Sequence, residues 1–154
     1  MTAPVLDETL EIFGQQSSTA LATPFLFCYP LPDDADISPI VNTLESGLRN
    51  LTKAFPWVAG KVVNEGKTDA ISGVFKIKQG NADIPRVVVK DYRNADDAPT
   101  FQALQEANFP EFMIPESLFS PINVLPTNPD QDRSPVLVLQ VNRIQGGLFS
   151  PPLL

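Results

Sequence analysis

The sequence predicts one mixed domain of the α/β or α+β class, and three observations lead to this prediction. The length of 154 residues fits a single ordinary domain. Segment 38–54 has the apolar spacing of an amphipathic helix, whereas several shorter apolar runs between glycines and prolines have the length of strands. Hydrophobic residues make up 43% of the chain and charged residues 19%, which is typical of a globular protein.

The first predicted strand and helix follow a segment of mixed composition, 1–20. Thr23–Tyr29 is aromatic and apolar and predicts a buried strand. Ser38 and Pro39 suit the cap and the first position of a helix over 38–54. The apolar residues of this helix share one stripe: Ile37, Ile40, Val41, Leu44, Leu48 and Leu51.

Three short strands are predicted next, at Gly60–Val63, Gly73–Lys78 and Arg86–Lys90. In the second of these strands the apolar side chains Phe75 and Ile77 alternate with lysines. One face of this strand should therefore be buried and the other solvated.

The C-terminal half of the chain predicts a short helix, an irregular segment and a last strand. Thr100 suits the cap of a helix over 100–107. The proline-rich segment 108–133 predicts an ordered but irregular crossing. Val136–Ile144 begins with an unbroken apolar run, so we expect it to be the last strand and to be buried on both faces in the middle of a sheet.

Charge and composition exclude several classes of partner. The net charge is −7 and the isoelectric point about 4.4, which argues against nucleic acid and against an anionic membrane surface. One cysteine excludes an intrachain disulfide. The N-terminus lacks the features of a signal peptide, and no apolar run approaches the length of a membrane span. These features predict a cytoplasmic protein.

Candidate reactive groups are few. Cys28 lies among aromatic residues with no histidine to activate it, so we expect a packing residue. The paired acids are expected to be solvated loop and cap residues: Asp33, Asp34, Asp36, Asp96 and Asp97. The pattern Asn128-x-Asp130-x-Asp132 resembles the start of a calcium loop but lacks its later glycine and glutamate. With no histidine and one cysteine, no zinc site is expected either.

Two further positions have alternative interpretations. Gly146-Gly147 could cradle a phosphate, but without a following lysine the pair more plainly predicts a bend after a strand. Trp57 could line a pocket for an apolar substrate, or it could simply pack in the core.

Two segments carry a resemblance to a known family. Leu51-Thr-Lys-Ala-Phe-Pro-Trp-Val-Ala-Gly-Lys-Val62 resembles a helix-to-strand junction of BAHD-type acyltransferases, which share the chloramphenicol-acetyltransferase fold. Val136–Leu148 resembles their strand that runs into a Gly-Gly turn. The chain is most similar to the N-terminal portion of the fungal branch, the trichothecene 3-O-acetyltransferase-like proteins.

This resemblance implies part of a chloramphenicol-acetyltransferase-like sandwich and an acyl-CoA-dependent O-acyltransferase. The donor would be acetyl-CoA or another acyl-CoA, and the acceptor a small-molecule alcohol such as an alkaloid or terpenoid. In the family, a His-x-x-x-Asp motif past the Gly-Gly turn supplies the general base. The chain contains no histidine, so we expect no catalytic residue in it and no activity on its own.

The resemblance also divides the chain into three parts. We expect an N-terminal segment, 1–20, a partial acyltransferase domain, 21–149, and an aberrant tail, 150–154. The partners of the last strand should come from sequence that follows in the family, so open edges and poor stability are expected. An alternative function is a non-enzymatic interaction module that pairs, through the open last strand, with a separate C-terminal part or with a full-length relative.

Overall fold

Two β-sheets, one in each of two units of the chain, form the framework of the protein. The computed structural model describes residues 6–16, 23–79, 87–120 and 135–150. The first unit comprises Met1–Thr23, Leu48–Pro85 and Val124–Leu137, and the second comprises Pro24–Gly47, Arg86–Asn123 and Val138–Leu154. The mixed α/β class predicted from the sequence is confirmed.

The first unit contains a three-stranded antiparallel sheet formed by β1 (Asp7–Thr9), β3 (Gly60–Glu65) and β4 (Val74–Gln79). The order of the strands across this sheet is β1–β4–β3. In β4 the side chains of Phe75 and Ile77 are buried and alternate with partly exposed lysines, as the sequence predicts. The strand β1 lies in a segment whose mixed composition predicted no strand.

The second unit contains a four-stranded sheet formed by β2 (Phe27–Pro30), β5 (Val87–Asp91), β6 (Leu139–Ile144) and β7 (Gly147–Ser150). The order of the strands across this sheet is β2–β7–β6–β5. β5 and β6 are parallel, whereas β7 is antiparallel to both of its neighbours.

The long helix α1, Ser38–Ala54, has the predicted limits. Its first turn differs in detail, because the Ile37 carbonyl accepts a hydrogen bond from the Val41 amide and the Asp36 carboxylate accepts one from the Ser38 amide. Asp36, rather than Ser38, therefore supplies the capping side chain.

The predicted cap of the second helix is confirmed. In α2, Phe101–Glu106, the Thr100 side chain accepts a hydrogen bond from the Ala103 amide at 3.1 Å. The described part of the segment predicted as irregular, up to residue 120, contains a 3₁₀ turn at Glu111–Met113 and a short helix α3, Glu116–Phe119.

Two hydrophobic clusters cover opposite faces of the four-stranded sheet. On one face, side chains of the first half of α1 pack on the strands; this cluster comprises Leu44, Val87, Val141 and Leu148, with Leu31, Ile40, Val41 and Leu139 around it. On the other face, α2 and α3 supply Leu104 and Phe119, which pack with Ile144 and Phe149. Neighbouring residues of β7, Leu148 and Phe149, point to opposite faces, so this strand is buried on both sides.

The prediction of a buried first strand is wrong. Within the described parts of the chain, strand β2 pairs with β7 alone and forms an edge of its sheet, and its aromatic side chains Phe27 and Tyr29 remain 44% and 38% exposed. Burial of an apolar run requires cover from other elements, and the composition of the run carries no information about that cover.

The prediction about the last strand is partly wrong. Strand β6 is central and largely buried, as expected, but it begins at Leu139 and is followed by β7. Both of its partners, β5 and β7, belong to this chain, so later sequence is not needed to complete its pairing. The domain boundaries after residues 20 and 149 stay a prediction.

Candidate functional site

The glycine pair singled out in the sequence lies at the end of the turn between β6 and β7 and at the start of β7. Gly146 has a φ of +73°, a left-handed conformation that glycine adopts without strain. A β-carbon at Gly147 would lie 2.7 Å from two atoms of the Phe101 side chain. The pair forms a bend between strands, where one residue must be left-handed and the next must approach an aromatic ring.

Asp33 connects this turn to the loop that precedes α1. Its carboxylate Oδ1 accepts a hydrogen bond from the Gly146 amide at 2.8 Å. Its backbone carbonyl accepts two more, from Arg93 at 2.6 Å and from Arg143 at 2.8 Å. Asp33 is an exposed loop residue, as predicted, but it also holds the turn; because 113 residues separate it from Gly146, no local pattern could indicate this contact.

Arg93 is held in turn by Asp91 at the end of β5. Its Nε and Nη2 donate to the two carboxylate oxygens of Asp91 at 2.9 and 2.6 Å. The hydrogen bond from Arg93 lowers the pKa of Asp91 to about 2. Arg93 thus links the Asp91 carboxylate to the Asp33 carbonyl in a charged, solvent-accessible network. This network fixes the loop that precedes α1.

The remaining acids lie where the sequence predicts. The hydrogen bonds from Ser38 lower the pKa of Asp36, in agreement with its capping role. Asp34, Asp96 and Asp97 are exposed. The calcium-like pattern at 128–132 lies outside the described residues, and among the residues that the structure describes no three metal-ligating side chains come together.

Cys28 packs against the cluster of Leu104, Phe119, Ile144 and Phe149. Burial raises the pKa of its thiol to about 11, so the thiolate needed for nucleophilic attack is scarce near neutral pH. This surrounding is that of a packing residue.

Trp57 lies in a 3₁₀ turn, Pro56–Ala59, that joins α1 to β3, and it is 39% exposed. An open cavity of about 370 Å³ in the first unit is lined by Gln15 and Phe75 among others, but not by Trp57. The amide of Gln15 is already occupied by hydrogen bonds to the backbone of Leu10 and Phe75. The cavity therefore offers little for a ligand, and a substrate-binding role for Trp57 stays a prediction.

The junction that follows Trp57 explains one sequence motif in physical terms. Gly60 begins β3, and a β-carbon there would lie 2.6 Å from the Ile77 side chain and 2.9 Å from the Lys78 carbonyl. Glycine is required at this point because two strands approach closely. Across the described helices, none combines the length and the apolar character needed to cross a membrane.

Comparison with known proteins places these features in a family. Residues 21–150 match the model of the trichothecene 3-O-acetyltransferase-like N-terminal domain. The chain is 42% identical to the O-acetyltransferase dmxR13 of Cryptosporiopsis sp. over 94% of its length, and 42% identical to the trichothecene 3-O-acetyltransferase TRI101 of Fusarium sporotrichioides over 93%. It spans about a third of the length of these relatives, 31% and 32% respectively.

Solved structures agree with the sequence comparison. The structure of Fusarium graminearum TRI101 complexed with ethyl coenzyme A matches 96% of this chain with a TM-score of 0.84 at 36% identity, over 34% of its own length. The structure of F. sporotrichioides TRI101 complexed with coenzyme A and T-2 matches 94% with a TM-score of 0.81 at 39% identity, over 33% of its own length. The fold is therefore that of the N-terminal part of this acyltransferase sandwich, and the chain belongs to the trichothecene 3-O-acetyltransferase-like N-terminal domain family.

Proposed function

We propose that this chain is the N-terminal part of an acyl-CoA-dependent O-acetyltransferase that acts on a hydroxyl group of a fungal secondary metabolite. The observation that carries this proposal is the match of residues 21–150 to the family, with a similar fold in relatives solved with coenzyme A. Acetyl-CoA would be the donor. The acceptor would be a small-molecule alcohol, since one relative was solved with T-2 and another with deoxynivalenol.

The reaction needs a general base, and this chain does not contain the histidine that serves as the base in the family. The base removes the hydroxyl proton while the oxygen attacks the thioester carbonyl, and coenzyme A leaves as the thiol. In the family that the chain resembles, this base is a histidine, and the 154 residues include none. We therefore expect the chain alone to be inactive and a further polypeptide segment to supply the base.

Purified chain tests the expected inactivity. It is incubated with acetyl-CoA and deoxynivalenol, and the acetylated product is measured by liquid chromatography with mass spectrometry. No product above the protein-free blank is expected. Product formed at a rate proportional to the concentration of the chain would contradict the need for a second segment.

A fusion protein tests the positive half of the proposal. It joins residues 1–150 of this chain to the part of F. sporotrichioides TRI101 that lies beyond the matched segment. We expect acetylation of a trichothecene by the fusion protein and none by the TRI101 part alone. A folded but inactive fusion protein would count against the proposed function.

Trp57 is the proposed contact of this part with the acceptor. Its partly exposed indole could supply an apolar wall. In the fusion protein, Trp57→Ala should raise the KM for the acceptor about tenfold, because about 1.4 kcal/mol of apolar contact is lost. Trp57→Phe, which keeps an aromatic ring, should retain most of the affinity, and an unchanged KM for Trp57→Ala would exclude this role.

A second candidate function, an interaction module, is favoured by the edge of strand β2. Two other edge strands of the described residues carry charges that discourage further pairing: Asp7 and Glu8 in β1, and Lys90 and Asp91 in β5. The outer side of β3 is already partly paired, because Lys61 forms a bridge with Pro135 and the Val136 amide donates to the Gly60 carbonyl. Strand β2, Phe27–Pro30, carries no charged residue. The edge expected to accept a partner is therefore β2 and not β6.

The backbone of β2 supports pairing on its open side. Leu31 donates its amide to the Gly146 carbonyl on the β7 side. Because backbone groups alternate along a strand, the amide and carbonyl of Cys28 point to the open side. We propose that an extended segment of a separate C-terminal part pairs here and covers Phe27 and Tyr29.

Co-purification tests this second function. Tagged chain is co-expressed with the C-terminal part of F. sporotrichioides TRI101, and retention of that part is measured. Phe27→Lys should abolish retention, whereas Val89→Lys should not, because Val89 lies at the opposite edge of the same sheet and is similarly exposed, 42% against 44%. Equal retention by both variants would exclude β2 as the docking edge.

We also propose a cytoplasmic location. The supporting observation is the single cysteine, Cys28, which is partly buried and cannot form an intrachain disulfide. A fluorescently tagged chain in a filamentous fungus should give diffuse cytoplasmic signal, and signal confined to an organelle would contradict the proposal.

A further inference from the structure

We propose that Asp33 is a positioning residue, which fixes the turn between β6 and β7 and thereby the place of β7 up to Ser150. The turn consists of Gln145 and Gly146, and it is followed directly by the buried strand β7. A shift of the turn would also displace β7, because β7 follows the turn directly and is paired with β2 on one side and with β6 on the other.

Among the described residues, three hydrogen bonds from outside the hairpin hold the turn. The Gln145 carbonyl accepts from the Phe101 amide at 2.9 Å, and the Gly146 carbonyl accepts from the Leu31 amide at 3.1 Å. The third bond runs from the Gly146 amide to the carboxylate of Asp33 at 2.8 Å. Asp33 is the side-chain contribution to this set, so it is the member that a substitution can remove without altering the backbone.

The position of Asp33 is itself constrained. Its carbonyl accepts from Arg93 and Arg143, and Arg93 is paired with Asp91 at the end of β5. The Ala35 amide also donates to the Pro32 carbonyl, which closes a turn around Asp33. These backbone contacts position the carboxylate of Asp33 independently of its hydrogen bond to Gly146. The negative charge of the carboxylate strengthens the hydrogen bond from the Gly146 amide.

Amide hydrogen exchange on the intact 154-residue chain tests the contact. Asp33→Ala should increase the exchange rate at Gly146 about tenfold, because removal of a hydrogen-bond partner lowers the cost of local opening. The amide of Val141, in the centre of β6, should be unaffected. Asp33→Asn keeps the acceptor oxygen without its charge and should restore part of the protection.

Asp34→Ala is the matched control, because Asp34 is the exposed neighbour of Asp33 in the same loop. Its exchange at Gly146 should equal that of the wild type. The inference is overturned if Asp33→Ala also leaves Gly146 unchanged. It is equally overturned if exchange at Val141 rises by the same factor, since Asp33 would then act on the stability of the whole sheet.

The consequence for catalysis rests on the proposed function, and the fusion protein separates the two. In an active fusion protein, Asp33→Ala should lower kcat about tenfold with little change in the KM for acetyl-CoA, because a displaced segment beyond β7 misplaces reacting groups rather than substrate. Asp33→Asn should recover part of kcat. An unchanged kcat would overturn the positioning role, whereas inactivity of the unsubstituted fusion protein counts against the proposed function and leaves the exchange result standing.

Discussion

Gly60 and Gly147 both lie where a β-carbon would collide with a packed neighbour. At Gly60 the neighbour is Ile77 on the adjacent strand, and at Gly147 it is the ring of Phe101. The sequence marks both glycines as turn or junction residues. Their partners are distant in the chain, so only the folded arrangement explains why glycine is required.

Gly147→Ala should destabilise the protein by about 1–3 kcal/mol, because the added methyl group overpacks against Phe101. The control is Gly47→Ala in α1, where a β-carbon meets nothing within 4 Å. That substitution should stabilise the protein by about 0.5–1 kcal/mol, since alanine favours a helix. Urea unfolding measures both, and equal effects of the two substitutions would contradict this account.

The reactivity of Cys28 should report its packing. Burial raises the pKa of this thiol to about 11 from an ordinary value of 9.0. As the pH is raised, the rate of alkylation by iodoacetamide should therefore increase in the folded chain only above pH 9.0, whereas in the urea-unfolded chain it should increase near pH 9.0. A midpoint near 9.0 in the folded chain would indicate an accessible, unpacked thiol.

At the scale of elements, the three-stranded sheet is joined on one face by a network of charges. Glu65 of β3 pairs with Lys76 at 2.5 Å and with Lys78, both in β4, and Lys76 also pairs with Asp7 of β1. The hydrogen bonds from Lys76 and then Lys78 lower the pKa of Glu65 to about 2. The alternating lysines predict a solvated face, but their shared partner depends on strand order.

Glu65 should make the stability of the protein depend on pH. A carboxylate whose pKa is lowered by folding stabilises the folded state fully above its ordinary value of 4.5, and loses that effect as the pH falls towards about 2. The free energy of unfolding, measured between pH 4.5 and about pH 2, should fall in the wild type and should fall less in Glu65→Gln. The control is Glu8→Gln, which removes a carboxylate that has no ion pair among the described residues and should show the same fall in the free energy of unfolding as the wild type. An equally large fall in Glu65→Gln would contradict a stabilising role of the network.

At the scale of the whole molecule, the negative net charge opposes aggregation, whereas the exposed aromatic residues favour it. The net charge of −7 keeps molecules apart at neutral pH, whereas Phe25, Phe27 and Tyr29 are at least 38% exposed. The poor stability predicted from the sequence stays a prediction. Its original reason, a last strand without partners, no longer applies, and the exposed edge β2 replaces it.

Aggregation should therefore be fastest near pH 4.4, where the net charge vanishes, and slowest near neutral pH. Light scattering during heating measures this, with Phe27→Lys expected to delay the onset at both pH values. A monomeric sample that unfolds cooperatively at pH 4.4 would contradict the prediction, and an onset unchanged by Phe27→Lys would show that β2 is not the surface responsible.

The sequence alone determined the elements whose signals are local. The apolar stripe of 38–54 and the cap at Thr100 depend on residues within one or two turns, so both helices were predicted with nearly correct limits. The alternation at Phe75 and Ile77 similarly identified the buried face of β4. The junction at Gly60 and the Gly-Gly turn carried enough of a pattern to indicate the family.

Tertiary structure decided everything that depends on distant partners. An apolar run is buried or exposed according to what lies beside it, which is why β2 is an exposed edge although its composition predicted burial. Strand β7 was missed because it is short and gains its stability from pairing with β2 and β6. The contact from Asp33 to Gly146 joins residues 113 positions apart, and such a contact exists only once the sheet has brought the two segments together.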